Sequence, residues 1–152
     1  DWQQVAQSLA ESGKEVALST LALLEADSEL RTVRKICAQN DFLVEANDLA
    51  AVEALYKAEK PFIAGPYLNV YNPKTLELLC RDGMQSWTLP VELSRVELQA
   101  MLNAITQTQL HVATEVMVHG YLPLALSARC FTARALDRPK DECKRICRQA
   151  RG

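Results

Sequence analysis

The chain has 152 residues, 49% hydrophobic and 24% charged, enough to bury a single core, and no apolar run approaches the ~20 residues of a membrane span. A soluble, cytoplasmic globular chain is expected, without a signal peptide, and its five cysteines are an odd count that argues against a disulfide framework. The net charge of −2 conceals an asymmetry, because residues 129–151 carry eight Arg or Lys against three acids, a local +5, which leaves the first 128 residues near −7.

The elements alternate from the start. An opening helix carries Trp2, Val5, Ala6, Leu9 and Ala10 on one face and stops at Gly13, a favourable C-terminal cap. A strand is predicted at Glu15 to Ser19, then a helix marked by Leu30, Val33 and Cys37, then a strand from Phe42 to Ala46. Asp48 is placed to cap a helix bearing Leu49, Val52 and Leu55, and the third strand runs from Pro61 to Gly65. Asn72 followed by Pro73 reads as an N-cap with proline in the first turn, and Gly83 ends that helix after Leu79 and Cys80. Trp87 lies in the fourth strand. Ser94 with Glu97 forms a capping box ahead of Leu98, Met101, Leu102 and Ile105, and Val112 to Val118 is the expected fifth strand.

Five strands, each joined to the next by a helix, imply parallel pairing with right-handed crossovers. The natural parent is a barrel of eight βα units, which typically takes ~250 residues. The expected fold is therefore α/β, a partial (β/α) TIM-like barrel over residues 1–126 with its first strand and last strands missing. A cysteine-bearing loop and helix follow at residues 127–152. No Gly-rich phosphate loop accompanies a strand, so a dinucleotide site is not expected.

Chemistry in such a barrel gathers at the C-terminal ends of the strands, and those positions are polar: Ser19, Glu45, Asn47, Asn69, Asn72, Glu92, Glu115 and His119. Asp48 and Asn72 are accounted for as helix caps. Glu45, Glu92 and Glu115 each interrupt or close an apolar strand, where a buried carboxylate needs a partner or a task. With Asn69 they are the candidate pocket residues; no catalytic role is assigned among them.

Cys130 is followed by twelve residues, Cys143, three residues and Cys147. If residues 141–148 are helical, Cys143 and Cys147 are an i, i+4 pair on one face, and Cys130 can close in from a loop. Three thiolates suit zinc or an iron–sulfur cluster, one ligand short of a closed site. His111 and His119 are poor fourth ligands, because they open and end the fifth strand, so the missing ligand is expected from outside the segment. The alternative is three ordinary buried thiols. Cys37 and Cys80 sit on the apolar stripes of their own helices and read as core. The basic charge coincides with the cysteines and would favour an anionic cluster, although a nucleic-acid surface or a solvated helix face has the same composition.

Glu115-Val-Met-Val-His-Gly120 followed by Ser127-Ala-Arg-Cys130 resembles the signature of the collagenase-like peptidase family, in which a Glu, a Gly three residues after an aromatic, and two cysteines recur. Met117 stands at the aromatic position and Pro123 where the first signature cysteine would be; Cys130 matches the second. Further stretches, including Ser127-Ala-Arg-Cys-Phe-Thr-Ala-Arg, Asp137-Arg-Pro-Lys-Asp-Glu-Cys and Leu89-Pro-Val-Glu-Leu-Ser-Arg, are similar to a ubiquinone-biosynthesis branch of that family. That resemblance implies a [4Fe-4S] protein acting with a homologous partner subunit and a lipid-binding accessory protein. The implied reaction is oxygen-independent hydroxylation of the aromatic ring of a ubiquinone precursor. It implies Cys130, Cys143 and Cys147 as three of four cluster ligands, the fourth lying upstream of Asp1. RNA hydroxylation within the same family is an alternative that the basic segment suits, and a zinc-stapled interaction module is another. Peptide hydrolysis finds no HExxH motif, no GxSxG elbow and no obvious Cys–His pair.

Overall fold

A computed structural model of the chain describes residues 2–122, 126, 130–138, 144 and 146–148. The chain divides into two compact units, residues 1–122 and 123–152.

The first unit alternates helix and strand. Helix α1 (Trp2–Glu11) precedes strand β1 (Ala17–Ser19), and α2 (Asp27–Ala38), β2 (Leu43–Ala46), α3 (Leu49–Lys57) and β3 (Phe62–Ala64) follow in turn. After a 3-10 turn at Pro66–Leu68 come α4 (Pro73–Arg81), β4 (Met84–Thr88), α5 (Arg95–Gln107) and β5 (Ala113–Glu115). The strands form one five-stranded sheet in the order β1-β2-β3-β4-β5, and every neighbouring pair is parallel. Sequential parallel strands joined by helices are the arrangement of a partial β/α barrel, as the alternating pattern implies.

Local chemistry sets the helix starts. Asp48 accepts from the Ala50 amide at 2.8 Å and Asn72 from the Thr75 amide at 3.0 Å. Ser94 and Glu97 form the reciprocal capping box, with Glu97 Oε2 accepting from the Ser94 amide at 2.6 Å. The backbone amide of Ser94, and then its hydroxyl, hold the Glu97 carboxyl below its usual value. The end of α2 is closed from a distance: Lys60 Nζ donates to the carbonyls of Cys37, Ala38 and Gln39 at 2.9, 2.9 and 2.8 Å, a cation on the negative end of a helix. Gly83, at φ +105, turns the chain from α4 into β4. Replacing Asn72 by Ala leaves the Thr75 amide without its acceptor, so a loss of about 1 kcal/mol in denaturant-derived stability is expected.

Alternate strand residues share a face. One face buries Val44, Ala46, Phe62, Ala64, Met84 and Trp87 against Val33, Val52, Leu55, Leu76, Leu79 and Met101 of the helices. Cys37 belongs to this core, and Cys80 is packed against it, as their positions on the apolar stripes imply. A register shift between Phe62 and Ile63 pairs Phe62 with Met84 but Ile63 with Ser86. Gln85 therefore drops out of the pairing, and Trp87 returns to the core face. The opposite face carries the register row Ser19, Glu45, Ile63, Ser86 and Ala113, with Thr88 and Glu115 paired next to it.

Three expectations need correction. The fifth strand is confined to Ala113–Glu115 because its length follows its pairing with Ser86–Thr88 of β4; His111 and His119 lie outside it and are exposed. Glu92 is not on a strand. It sits exposed in the turn after β4, beyond Pro90. Nor is any of the three carboxylates buried: Glu45 is half-buried, and Glu92 and Glu115 are exposed, since Glu45 and Glu115 occupy the sheet face turned away from the helices.

In the second unit, α6 (Phe131–Ala135) and a 3-10 turn at Ile146–Arg148 pack together. Cys130, expected in a loop, is the N-cap of α6. The helix expected over residues 141–148, and with it Cys143, lies largely outside the described residues. No helix among the described residues is long and apolar enough to cross a membrane.

Candidate functional site

The polar constellation at the strand ends is centred on Asn47, one residue past β2. Its Nδ2 donates to Glu45 Oε1 at 2.8 Å, Ser19 Oγ at 2.9 Å and the Thr20 carbonyl at 3.3 Å. Its backbone amide donates to Thr20 Oγ1 at 3.0 Å. Ser19 Oγ in turn donates to Glu45 Oε1 at 2.9 Å. One oxygen of Glu45 is thus fixed by two donors, while Oε2 accepts no hydrogen bond among the described residues.

Asn47 is only 3% exposed, and its Oδ1 is a buried atom without a hydrogen-bond partner among the described residues. That atom lies against Gly65, where a Cβ would meet it at 2.0 Å. An unpaired buried carbonyl costs roughly 1–3 kcal/mol, so Asn47 is a poor choice for stability and a good one for holding Glu45 and Ser19 in register. Asn47 was legible in the sequence as a strand-end polar residue, but its neighbour Asp48 is the one that caps α3. Gly65 reads in the sequence as the last residue of the third strand.

The same motif recurs across the sheet. Ser86 Oγ donates to Glu115 Oε1 at 2.8 Å, again a serine on one strand bonding a glutamate on the next. The other two pocket candidates stand apart on the surface. Tyr71 Oη donates at 3.4 Å to Asn69 Oδ1 and 3.4 Å to Glu92 Oε2, both long. Asn69 ends the 3-10 turn in the left-handed region at φ 56, a conformation asparagine tolerates. Partial burial, and then the Glu92 carboxylate, push the Tyr71 phenol up from its ordinary value. The structure therefore joins Glu45 to Ser19 and Asn47, Glu115 to Ser86, and Glu92 to Asn69 through Tyr71. These are separate groupings.

An apolar groove of about 650 Å³ also follows β1 between α1 and α2, lined by Trp2, Val5, Leu9, Leu18 and Ile36. Its lining is that of a packing surface.

In the second unit, Cys130 is half-buried and its Sγ accepts from the Ala133 amide at 3.5 Å. An N–H···S bond of this kind steadies a metal-bound thiolate. Cys147 is exposed on the 3-10 turn that packs against α6. The donor set of Cys130 and Cys147 fits a soft metal or an iron–sulfur cluster. Cys143 lies outside the described residues, and among those described no group of three His, Cys, Asp or Glu is gathered for a metal ion.

No solved structure matches this chain. The sequence of residues 1–150 matches the family model of Peptidase family U32, the collagenase-like family that the Glu115 and Cys130 stretches resemble, and the chain belongs to that family.

Proposed function

We propose that this U32 chain is a UbiV-type iron–sulfur subunit of an oxygen-independent hydroxylase acting on the aromatic ring of a ubiquinone precursor. It would work with the homologous subunit UbiU and the lipid-binding accessory protein UbiT. The observation that carries the reading is Cys130: it stands in the cysteine spacing of the segment, at the head of α6, with its sulfur accepting a backbone amide. Cys130, Cys143 and Cys147 are three ligands of a [4Fe-4S] cluster on this reading, with the fourth upstream of Asp1. When bound, the cluster supplies electron transfer or Lewis acidity.

The chain's own residues have simpler tasks. The Ala133 amide orients the Cys130 sulfur, and the cations around the cysteines offset the charge of thiolate ligands. Glu45, fixed by Ser19 and Asn47, offers a positioned acceptor at the strand ends. The reading accounts for an absence of the ordinary hydrolytic motifs in a chain from a peptidase-named family.

The test reconstitutes the longer protein carrying the fourth ligand, and separately its homologous partner, with iron and sulfide under anaerobic conditions. Ring hydroxylation is then assayed with each subunit alone and with both. Four irons per chain and turnover only from the pair are expected. Stoichiometric zinc in place of iron would point to the interaction module, and full turnover by this subunit alone would overturn the heterodimer.

A further inference from the structure

Strand β1 stands at one end of the sheet. Its residues Ala17, Leu18 and Ser19 include no charge and no proline, the devices that ordinarily keep an edge from pairing. The Thr20 amide donates to the Glu45 carbonyl of β2 at 2.9 Å. Alternation along the parallel ladder then turns the backbone groups of Leu18 toward β2 as well, and those of Ala17 and Ser19 outward to the open edge.

Along that edge runs the groove of about 650 Å³ between α1 and α2. Leu18 is in register with Val44, a core residue, so its side chain is on the helix side of the sheet. Ala6 is the one buried residue of α1, while Trp2, Val5 and Leu9, which also line the groove, are 85%, 51% and 46% exposed. An apolar stripe turned to a groove and left uncovered marks an interaction surface. Lys35 is the one charged residue of the lining, and no acid accompanies it.

The backbone decides what fits. A hydrocarbon chain would fill the groove but cover the outward groups of Ala17 and Ser19 without bonding them, at roughly 1–3 kcal/mol for each group left unsatisfied. An added strand bonds them and places alternate side chains in the groove. A second copy meets two obstacles. Pairing β1 with β1 would bring two α1 helices over one junction, where strands stand about 4.8 Å apart and helix axes need roughly 8–10 Å. It would also set Lys35 against its own copy.

We infer that the β1 edge is an interaction surface for an extended segment of a different polypeptide, which adds as a further strand. Alternate residues of that segment are apolar and rest against Val5, Leu9 and Ile36, and an acidic residue on the same face meets Lys35. The groove supplies most of the affinity. The edge backbone supplies the requirement that the ligand be an extended peptide.

The isotope-labelled 152-residue chain is titrated with acetyl-Thr-Val-Thr-Val-Thr-Glu-Thr-amide while hydrogen exchange of its amides is followed. Saturable binding is expected, with exchange at Ala17 and Ser19 slowed. Two N-methylated forms of the peptide, one for each alternate set of amides, separate the strand edge that pairs from the edge that faces water. One form should lose about tenfold in affinity and the other should keep it. Val5→Glu puts a charge in the groove at a position already half exposed, so the fold stands, and binding should weaken about tenfold. Ala17→Pro removes an N–H that the β2 ladder does not use and should weaken binding likewise. Decanoate serves as the hydrocarbon control. No saturable binding at millimolar peptide, equal affinity of the two N-methylated forms, or decanoate binding as tightly as the peptide would overturn the assignment. So would a dimer of the chain alone that Val5→Glu dissociates, because the groove would then belong to a second copy.

Discussion

Alanine at Cys130, Cys143 or Cys147 is expected to abolish most of the visible absorbance of the anaerobically reconstituted protein, whereas alanine at Cys37 or Cys80 should leave it intact. The contrast follows from environment. Cys37 is 3% exposed in the core, and burial pushes its thiol up despite the opposing charge of Lys60. Burial pushes the Cys80 thiol up as well. A metal takes the thiolate, so a thiol kept protonated inside an apolar core is a poor ligand. Cys130 has an amide directed at its sulfur, and Cys147 is exposed. Losing one thiolate of a four-ligand cluster leaves an iron open to solvent and oxidation, so the loss of cluster should be near complete, not proportional. Cys37→Ala should cost about 1–2 kcal/mol of stability, the value of a small buried side chain, with iron content unchanged. Iron and absorbance are measured together on all five variants. Retention of the cluster by Cys130→Ala, or its loss in Cys80→Ala alone, would sink the ligand assignment.

What the sequence made legible was chiefly what is local. The caps at Asp48, Asn72 and Ser94 are contacts within three residues, so their signals survive without knowledge of the fold. The helix stripes placed Val33, Cys37, Leu55 and Leu79 in the core because a single period carries that information. The fifth strand is shorter than its apolar run because partner residues on β4 set the ladder, and pairing across 27 or more positions has no local signature. For the same reason Glu45 and Glu115 looked buried in a linear reading. Which face of a sheet is covered by helices is a property of the assembled layers. Asn47 illustrates the limit most clearly, since its partners Ser19 and Thr20 lie 28 and 27 residues away and Gly65 was read only as a strand end.

That last contact yields the largest stability effect expected in the first unit's site. Gly65→Ala should destabilise the protein by about 2–4 kcal/mol, through overpacking and the breaking of a buried network. Backbone conformation is not the cause, because φ at Gly65 is −71, open to any residue. The cause is contact: the new methyl would lie 2.0 Å from Asn47 Oδ1 and 2.6 Å from its Cγ. Neither side yields readily. The Gly65 amide donates to the Ala46 carbonyl at 2.8 Å, and Asn47 is tied to Glu45, Ser19 and Thr20. Asn47→Ala alone removes the side-chain bonds to Ser19, Glu45 and the Thr20 carbonyl, keeps the backbone amide bond to Thr20 Oγ1, and also removes the unpaired Oδ1, so its own cost should be smaller. In the double variant the methyl at residue 65 meets a short side chain, and the two effects should fall short of their sum by about 1–3 kcal/mol, the coupling expected of residues in direct contact. Denaturant unfolding of the four proteins measures this cycle. Simple additivity would mean that Gly65 and Asn47 do not constrain one another, and would remove the packing argument for Asn47 as the residue that holds Glu45.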